Sequence, residues 1–294
     1  MSNKDSMQII ECPRDAMQGL DYFIDTDKKV NYINELLTCG FNVLDMGSFV
    51  SPKAIPQMRD TADVLDRINY SSVSPTKLLS IVANRRGAEA AVCFDQISYL
   101  GYPFSISETF QQRNTNKSIQ DSFVLLEDIF SIAEKHGKEV VLYLSMGFGN
   151  PYGDEWSEEI VYRWTKQLNE TFGASIIALS DTIGCVEPEP LSKLFTYLKS
   201  SFPSIDFGAH LHVTRARSQE IITAAYQGGC RRFDVAIKGY GGCPMAKDDL
   251  TGNLATEELV FWMGANNVSH QLNLEAVTNS MNSVDEVFQS NNNT

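Results

Sequence analysis

The sequence predicts an α/β fold in which eight parallel strands alternate with helices and close into a single (β/α)₈ barrel. Short apolar runs alternate with longer amphipathic segments about eight times along the 294 residues, which is typical of repeated βα units. The runs are mostly apolar and do not alternate with polar residues, as expected for parallel strands that are buried on both faces. No linker or change of composition divides the chain, so we expect one domain over residues 1–294.

The predicted strands are the apolar runs, bounded by turn residues. In chain order they cover residues 7–11, 42–46, 78–82, 97–104, 139–144, 175–179, 207–212 and 231–237. The fourth run is the weakest strand signal because it contains Gly101 and Pro103, which disfavour the interior of a sheet. A doubly wound open sheet is the alternative, but it usually has fewer strands at this length, so the closed TIM barrel is preferred.

The predicted helices lie between these strands and carry start and stop signals. A helix capped at Asp25 stops at Gly40, and a long amphipathic helix runs from Ser118 to Gly137. Further helices are predicted near residues 56–68, 87–92, 157–172, 190–200, 219–226 and 255–263. The barrel is therefore expected to cover residues 7–264, followed by a C-terminal helical extension over residues 270–289.

Charge and hydropathy exclude several classes of protein. The net charge of −13 argues against nucleic acid as the main partner, because an acidic surface repels a polyanion. No apolar run approaches the ~20 residues of a membrane span, and the first residues lack the basic and apolar regions of a secretory signal. The six cysteines never have CxxC spacing, so we expect free thiols in a reducing, cytoplasmic location.

Unusual polar residues fall where the chemistry of such a barrel lies, at the C-terminal ends of its strands. The first strand leads into Arg14 and Asp15, the sixth leads into Asp181, and the seventh carries His210 and His212. Residues two apart on a strand share a face, so the two imidazoles can form half of a metal site. A hydrogen-bonded core histidine is commoner than a ligand, but this pair takes half of the chain's four histidines.

Asp15, His210, His212 and Asn253 together offer two oxygen and two nitrogen donors. Such a set suits Mg²⁺ or Mn²⁺ with positions left for substrate or water. A tetrahedral structural zinc site is disfavoured because no cysteine has finger spacing, while a non-haem iron site stays compatible with these ligand types. The structural alternatives are a helix or turn cap for Asp15 and a helix N-cap for Asn253.

Further residues suggest chemistry beside that metal site. Arg14 can stabilise an oxyanion, or it can pair with a neighbouring carboxylate. Asp181 can act as an acid or base, or it can cap the turn after its strand. The glycine-rich segment 238–242 can hold an anion through backbone N–H groups or be a flexible loop. Most of the cysteines are expected to be small core residues, and Cys243 is the exception because it lies among glycines rather than in an apolar run.

Five motifs that span nearly the whole chain include these residues. They are ECPRDAMQ (11–18), GSFVSPKAIPQM (47–58), SDTIG (180–184), GAHLH (208–212) and KGYGGCPMA with TGNLATEEL (238–259). Together they resemble the 3-hydroxy-3-methylglutaryl-CoA (HMG-CoA) lyase family, within a superfamily of metal-dependent TIM-barrel lyases and synthases. The second and fifth motifs are the most specific to the lyase within that superfamily.

The resemblance implies a divalent cation, an acyl-CoA substrate and a homodimer. In such a lyase HMG-CoA is cleaved to acetyl-CoA and acetoacetate, as in leucine degradation. The cation would be Mg²⁺ or Mn²⁺, bound by Asp15, His210, His212 and Asn253. The other roles that the resemblance implies are stabilisation of the enolate by Arg14, a catalytic thiol on Cys243, proton transfer or metal-site organisation by Asp45, Asp181 and His210, and substrate contacts from Ser48 and Thr182.

The sequence departs from the family pattern at several positions. Ala16 stands where glycine is usual, Asp45 where glutamate is usual, and Val213 where aspartate is frequent. The loop between Cys243 and Asn253 is one residue longer than expected. These departures bear on the choice of substrate more than on the type of reaction.

Two rival interpretations stay open at this point. One is an acetyl-CoA-dependent Claisen-type synthase of the same superfamily, and the other is a non-catalytic barrel that binds an acyl-CoA. The sequence also leaves open which basic residues would meet the phosphates of CoA. The candidates for that contact are Arg85, Arg86, Arg113 and Lys117.

Overall fold

The computed structural model describes residues 6–242 and 251–288 of the chain. Its parallel strands form a closed barrel in sequence order, with the last strand hydrogen-bonded to the first. The strands are β1 (Gln8–Glu11), β2 (Val43–Ser48), β3 (Lys77–Ile81), β4 (Ile97–Ser105), β5 (Glu139–Ser145), β6 (Ile176–Asp181), β7 (Asp206–Leu211) and β8 (Arg232–Val235). The predicted (β/α)₈ TIM barrel is therefore confirmed.

Helices surround this barrel and connect its strands. They are α1 (Pro13–Gln18), α2 (Thr26–Leu37), α3 (Thr61–Arg67), α4 (Arg85–Ala91), α5 (Glu108–Thr115), α6 (Ile119–Lys135), α7 (Glu158–Phe172), α8 (Pro188–Ser201), α9 (Arg215–Gln227), α10 (Thr256–Ala265) and α11 (Leu274–Val287). Among the residues that the structure describes, no helix is both long and apolar enough to cross a bilayer.

The strands are apolar on both faces because each face packs against a different part of the core. Inward-facing residues such as Ile10, Val43 and Val141 form a cluster inside the barrel. Outward-facing neighbours such as Ile9 and Leu44 belong to the larger cluster between the barrel and its helices. This alternation between two buried faces explains why the strand runs show no polar period in the sequence.

Towards the C-terminal ends of the strands, the inward positions change from aliphatic to polar. Asp234 of β8 lies in register with Ile10 on one side and with His210 of β7 on the other. Asp45 follows Val43 by two residues on β2 and is fully buried. Asp45, His210 and Asp234 therefore lie near the mouth, above aliphatic residues such as Ile10 and Val43, whereas the buried Arg232 lies two residues earlier at the start of β8.

The sequence patterns did not predict helices α1 and α5. Helix α1 begins at Pro13 directly after β1, a position that proline favours because it lacks the N–H that the first turn leaves unpaired. Its six residues are too few to show a helical period. Helix α5 is mostly polar, and its clearest signal is Ser107, whose hydroxyl accepts the N–H of Phe110 as an N-cap.

Strand β4 forms in full despite its glycine and proline. A Cβ atom on Gly101 would lie 2.6 Å from Cδ1 of Ile81 and 3.1 Å from Cε2 of Tyr143, so glycine is required by the packing inside the barrel. Pro103 pairs in register with Tyr143 of β5, and the strand continues to Ser105. The glycine that weakened the strand signal in the sequence is therefore explained by close packing inside the barrel.

The C-terminal helix α11 packs along α2 and runs from the foot of the barrel to its mouth. At its start, the Asn273 N–H donates to the Cys39 carbonyl (2.8 Å), next to the end of α2. After its end, the Phe288 carbonyl accepts a hydrogen bond from the Tyr22 hydroxyl, at the side where α2 begins. The helix thus places its last residues beside the loop that follows β8.

Candidate active site

The residues predicted to bind a metal come together at the mouth of the barrel from three parts of the chain. Asp15 lies on α1, His210 lies on β7, and His212 follows β7 directly. Asn253 lies opposite His212 in an isolated antiparallel bridge before α10. One ligand atom each from Asp15, His210 and His212 lie within 4.8 Å of one another. The three side chains can therefore share one cation.

Both imidazoles are held by a hydrogen bond at Nδ1. The Nδ1 of His210 lies 3.1 Å from Oδ2 of Asp234, and the Nδ1 of His212 lies 3.1 Å from the Thr251 carbonyl oxygen. An imidazole that donates from Nδ1 carries its lone pair on Nε2, the arrangement that metal-binding histidines usually have. The Thr251 carbonyl is thus the hydrogen-bond partner of His212. Val213 cannot be that partner, although the aspartate that is frequent at this position in the family could be.

Asn253 and Asp15 have hydrogen bonds that leave oxygen atoms available for a cation. The Nδ2 of Asn253 donates to Oδ2 of Asp15 (2.8 Å) and to the Tyr240 carbonyl (2.9 Å). Both amide hydrogens are then used, and Oδ1 is left as an acceptor. Oδ1 of Asp15 accepts from Nε2 of Gln18 at 2.7 Å. Two imidazole nitrogens, one amide oxygen and one carboxylate form a donor set that fits a hard divalent cation.

Arg14 joins this site to a second buried carboxylate. Its Nε donates to Asp45 at 3.0 and 3.2 Å, its Nη2 also bonds to Asp45, and its Nη1 donates to Asp15 at 2.7 Å. A guanidinium has five N–H donors, so two are left free. Arg14 also lines the cavity, whereas Asp45 lies behind it and is fully buried. Arg14 can therefore pair with the carboxylates of Asp45 and Asp15 and still stabilise an oxyanion with its two free N–H donors.

The charges of the site are set by burial and by the arginine. Burial raises the pKa of Asp45 to about 6, so this carboxylate is ionised opposite Arg14 at neutral pH. Burial also opposes ionisation of Asp15, but the charges of Arg14 and the two histidines outweigh it and lower the pKa of Asp15 to about 2. Burial, together with His210, lowers the pKa of His212 to about 4. An anionic Asp15 and a neutral His212 are the forms that bind cations.

His210 has the opposite tendency to His212. Burial lowers its pKa, but the hydrogen bond and the charge of Asp234 outweigh burial and raise the pKa above its ordinary value. Cys12 lies close to both residues, with one ligand atom of each within 4.8 Å. Burial raises the pKa of the Cys12 thiol well above its usual value, so this cysteine is a neutral thiol beneath the site.

Two of the predicted site residues have their polar groups engaged away from the cavity. The Asp181 carboxylate accepts the N–H groups of Cys185 (3.1 Å) and Val186 (2.8 Å), which makes it a cap of the turn after β6. The Ser48 hydroxyl donates to the carbonyl of Ile81 at 3.3 Å. Within the described residues, neither side chain lines the cavity, whereas Thr182 does.

Cys243, the predicted catalytic thiol, lies outside the described residues, so its role stays a prediction. Asn253 was also considered as a helix cap. The residue at the N-cap position of α10 is Ala255 instead, two positions further on. Asn253 is therefore free of the capping role and has its side chain in the site.

A cavity of about 300 Å³ leads away from this cluster. Its lining includes Arg14, Asp15 and His210, and also Asn114 of α5 and Lys117 of the α5–α6 loop. Lys117 is thus the candidate cation that lines the cavity. Of the other three, Arg85 pairs with Glu89 and Asp128, Arg113 lies over the ring of Tyr152, and Arg86 is exposed.

Four partners of the site were missed in the sequence. They are Asp234 behind His210, the Thr251 carbonyl behind His212, Gln18 beside Asp15, and the Tyr240 carbonyl beside Asn253. Asp234 had a detectable signal, because it is the acidic residue among the apolar residues 233–237 at the end of the predicted eighth strand. The two carbonyl groups had none, since every residue carries one.

The fold and this mouth define the class of protein: a (β/α)₈-barrel enzyme whose site combines an arginine with a donor set for a divalent cation. Comparison with known proteins narrows the class. A sequence model described as HMGL-like matches residues 7–284. The chain therefore belongs to the HMGL-like family, and the resemblance that its motifs carry is confirmed.

Curated relatives cover nearly the whole chain. A Bacillus subtilis protein named hydroxymethylglutaryl-CoA lyase YngG is 33% identical over 274 residues, which are 93% of this chain and 90% of the relative. The mouse mitochondrial hydroxymethylglutaryl-CoA lyase is 32% identical, over 92% of this chain and 82% of its own.

Solved structures of lyases have the same fold. The Bacillus subtilis HMG-CoA lyase superposes with a TM-score of 0.89 at 32% identity, covering 96% of this chain and 93% of that chain. An Acinetobacter baumannii HMG-CoA lyase, in complex with coenzyme A and 3-methylmalate, has a TM-score of 0.87 at 29% identity, covering 98% and 92%.

Proposed function

We propose that this protein is a divalent-cation-dependent carbon–carbon lyase that cleaves HMG-CoA to acetyl-CoA and acetoacetate. The observation that carries the proposal is that Arg14, Asp15, His210 and His212 line one cavity, with Asn253 hydrogen-bonded to Asp15, in a chain whose relatives are named HMG-CoA lyases. The structural neighbour that contains coenzyme A supports an acyl-CoA as the class of substrate.

The cation would be held by Asp15, His212 and Asn253, with His210 beside them. When bound there, Mg²⁺ or Mn²⁺ supplies Lewis acidity that lowers the pKa of the substrate's tertiary hydroxyl and fixes its orientation. The oxygen-rich donor set, with no thiolate among these ligands, supports these hard cations over Zn²⁺.

The chain must then remove the hydroxyl proton, and His210 is the group best placed to do so. Of the three residues predicted for proton transfer, His210 lines the cavity, Asp45 lies behind Arg14, and Asp181 caps a turn. Asp234 on Nδ1 would stabilise the imidazolium that forms. Because one nitrogen cannot accept a proton and bind a cation at once, we assign Nε2 of His210 primarily to the proton.

Bond cleavage places negative charge on the departing thioester. Loss of the hydroxyl proton turns the alcohol carbon into the ketone of acetoacetate, and the electrons of the broken C2–C3 bond form the enolate of acetyl-CoA. The two free N–H donors of Arg14 can hold the enolate oxygen, while Asp45 keeps the guanidinium in place. The enolate carbon then takes a proton, which we assign to the thiol of Cys243.

The CoA part of the substrate would follow the cavity away from the reacting carbon. Among the residues that line the cavity, Lys117 would offer a cation for a phosphate, and Asn114 would offer a side-chain amide. A homodimer and a cytoplasmic role in leucine degradation stay proposals. The free thiols of Cys12, Cys39, Cys93, Cys185 and Cys230 are consistent with a reducing compartment.

A product assay tests the proposed function. Purified protein with HMG-CoA and Mg²⁺ or Mn²⁺ should release acetyl-CoA and acetoacetate in equal amounts, and a chelator should stop the release. If the protein instead condenses acetyl-CoA with a 2-oxo acid, the synthase interpretation replaces the lyase. Binding of HMG-CoA without any turnover would support the non-catalytic barrel.

A further inference from the structure

The loop that follows β8 begins with a stem, residues 238–242, that lies directly on the cation site. A Cβ atom on Gly241 would come within 2.7 Å of Nδ2 of Asn253 and 2.8 Å of the Asp15 carbonyl oxygen. A Cβ atom on Gly239 would lie 2.9 Å from the Asn253 carbonyl oxygen. The backbone of the stem therefore packs closely against Asn253 and Asp15, two of the proposed cation-binding residues.

Tyr240 is the residue that can hold this stem in place. It is flanked by Gly239 (φ +69°) and Gly241 (φ +94°), which have no side chains to anchor and which adopt left-handed backbone conformations. The ring of Tyr240 stacks on Phe288, with centroids 4.6 Å apart and an angle of 8° between the planes. Its hydroxyl donates to Oδ1 of Asp285 at 2.8 Å. Asp285 lies on α11, and Phe288 follows the helix directly.

Lys238 adds a second link between the stem and α11. Its Nζ lies 2.5 Å from Oδ2 of Asp285, and its backbone N–H donates to Glu257 at 3.0 Å. These contacts hold a left-handed backbone (φ +59°) that a residue other than glycine seldom adopts. The Asp285 side chain is 46% exposed, and such surface ion pairs contribute little. The stacked ring of Tyr240 is therefore the stronger of the two links.

One hydrogen bond, between the Tyr240 carbonyl and the Asn253 side chain, connects the stem to the cation site. The Tyr240 carbonyl accepts Nδ2 of Asn253, and the other amide hydrogen goes to Asp15. With both hydrogens fixed, Oδ1 of Asn253 has one orientation. We propose that α11 positions Asn253 through Tyr240, which makes Tyr240, Asp285 and Phe288 positioning residues for the cation site. This inference rests on the cation site of the proposed function.

Cation affinity measures this positioning without any turnover. Mn²⁺ binding to the whole protein, followed by electron paramagnetic resonance, should weaken about 10-fold in Tyr240→Ala, the range that loss of a residue behind a metal ligand usually causes. Tyr240→Phe keeps the stack on Phe288 and loses only the bond to Asp285, so its affinity should fall less than 3-fold. The affinity is independent of which substrate the protein cleaves, so failure of the lyase assay would not affect this test.

A double-mutant comparison separates positioning from a general loss of stability. If Tyr240 acts through Asn253, Tyr240→Ala should cause no further loss of Mn²⁺ affinity in an Asn253→Ala background. Tyr226→Ala is the matched control, because Tyr226 packs its ring against Trp262 (centroids 4.9 Å apart, planes tilted by 57°) at the C-terminal end of α9, and the change should leave Mn²⁺ affinity unchanged.

Two results would overturn the inference. One is parental Mn²⁺ affinity in a folded Tyr240→Ala protein, and the other is additive losses in the double mutant. Should Tyr240→Ala fail to fold, Phe288→Leu removes the stacking partner and leaves the stem sequence intact. Its expected loss of Mn²⁺ affinity is 3-fold or more, and parental affinity in that variant would equally overturn the inference.

Discussion

The Nδ1 atom of His210 lies 3.1 Å from Oδ2 of Asp234, a carboxylate that is 2% exposed on the neighbouring strand. The register of β7 and β8 pairs these two residues directly. Within the described chain the other oxygen, Oδ1, has no hydrogen-bond partner. The Asp234 carboxylate therefore has its hydrogen bond with the His210 imidazole alone among the described residues. A buried carboxylate at Nδ1 stabilises the imidazolium that forms when His210 accepts a proton.

Replacing Asp234 tests that relationship. Asp234→Asn keeps the size and a hydrogen-bonding group but removes the charge that stabilises an imidazolium, so kcat should fall about 10- to 100-fold. Mn²⁺ affinity should change by less than the turnover does. Asp206→Asn, at the start of β7, is the control and should retain parental activity. Equal losses of turnover and of cation affinity would assign His210 to the cation instead.

Arg14→Gln should stabilise the transition state less well than the parent does. The change removes the charge that holds the enolate oxygen, so kcat should fall about 10²- to 10³-fold while KM changes little. Arg14→Lys restores a charge but not the fork that bonds to both Asp45 and Asp15, and should recover only a small part of the rate. Steady-state kinetics measure both. Turnover within a few-fold of the parent in Arg14→Gln would eliminate the enolate-stabilising role.

Removal of the cation should abolish activity and leave the fold intact. The site lies at the mouth of the barrel, whereas the hydrophobic clusters that hold the fold together fill the barrel interior and the space between the barrel and its helices. Circular dichroism should therefore be unchanged after dialysis against a chelator, and Mn²⁺ should restore the rate. His212→Ala should weaken Mn²⁺ affinity, because its Nε2 would be a ligand. Parental affinity in that variant would remove His212 from the ligands.

Cys243→Ser should fold normally and bind the cation, yet turn over orders of magnitude more slowly. A hydroxyl is a far weaker acid than a thiol and should protonate the enolate poorly. The comparison is Cys39→Ser, because Cys39 is buried at the end of α2 and its thiol contacts Ser280 (3.5 Å). Rates of product release for the two variants decide the question. Parental activity in both would move the proposed proton donor elsewhere.

Glu11 should make the stability of the protein depend on pH. Burial raises its pKa from 4.5 to about 8, despite hydrogen bonds from Thr256 (2.5 Å) and from the Ile237 N–H (2.8 Å). The folded state thus holds a proton that the unfolded state releases. The stability from Glu11 is complete below pH 4.5 and is lost as pH rises to about 8, by at most about 1.4 kcal/mol per pH unit.

Glu11→Gln provides the measurement. The amide cannot ionise and can keep both hydrogen bonds, so the free energy of unfolding in urea should fall less between pH 5 and pH 8 than that of the parent. Glu89→Gln, on the exposed face of α4, should follow the parent curve. Parallel curves for Glu11→Gln and the parent would show that Glu11 is ionised in the folded protein.

Much of this molecule follows from local patterns in the sequence. The alternation of apolar runs and amphipathic segments predicted all eight strands, because a parallel strand buried on both faces has a composition that its neighbours do not alter. The two-residue spacing of His210 and His212 placed both at the mouth. Helices α1 and α5 were missed, since one is too short and the other too polar to show a period.

The tertiary structure alone decided how these residues are held. Asn253 and Asp15 are 238 positions apart, and only the closure of β8 onto β1 brings their side chains to 2.8 Å. The same closure places Tyr240 between α11 and Asn253. The sequence by itself determined which donors the chain carries, because composition and short spacings are local properties. The fold decided which atoms of those donors stay free, because each hydrogen bond at the site depends on the distance between residues far apart in the chain.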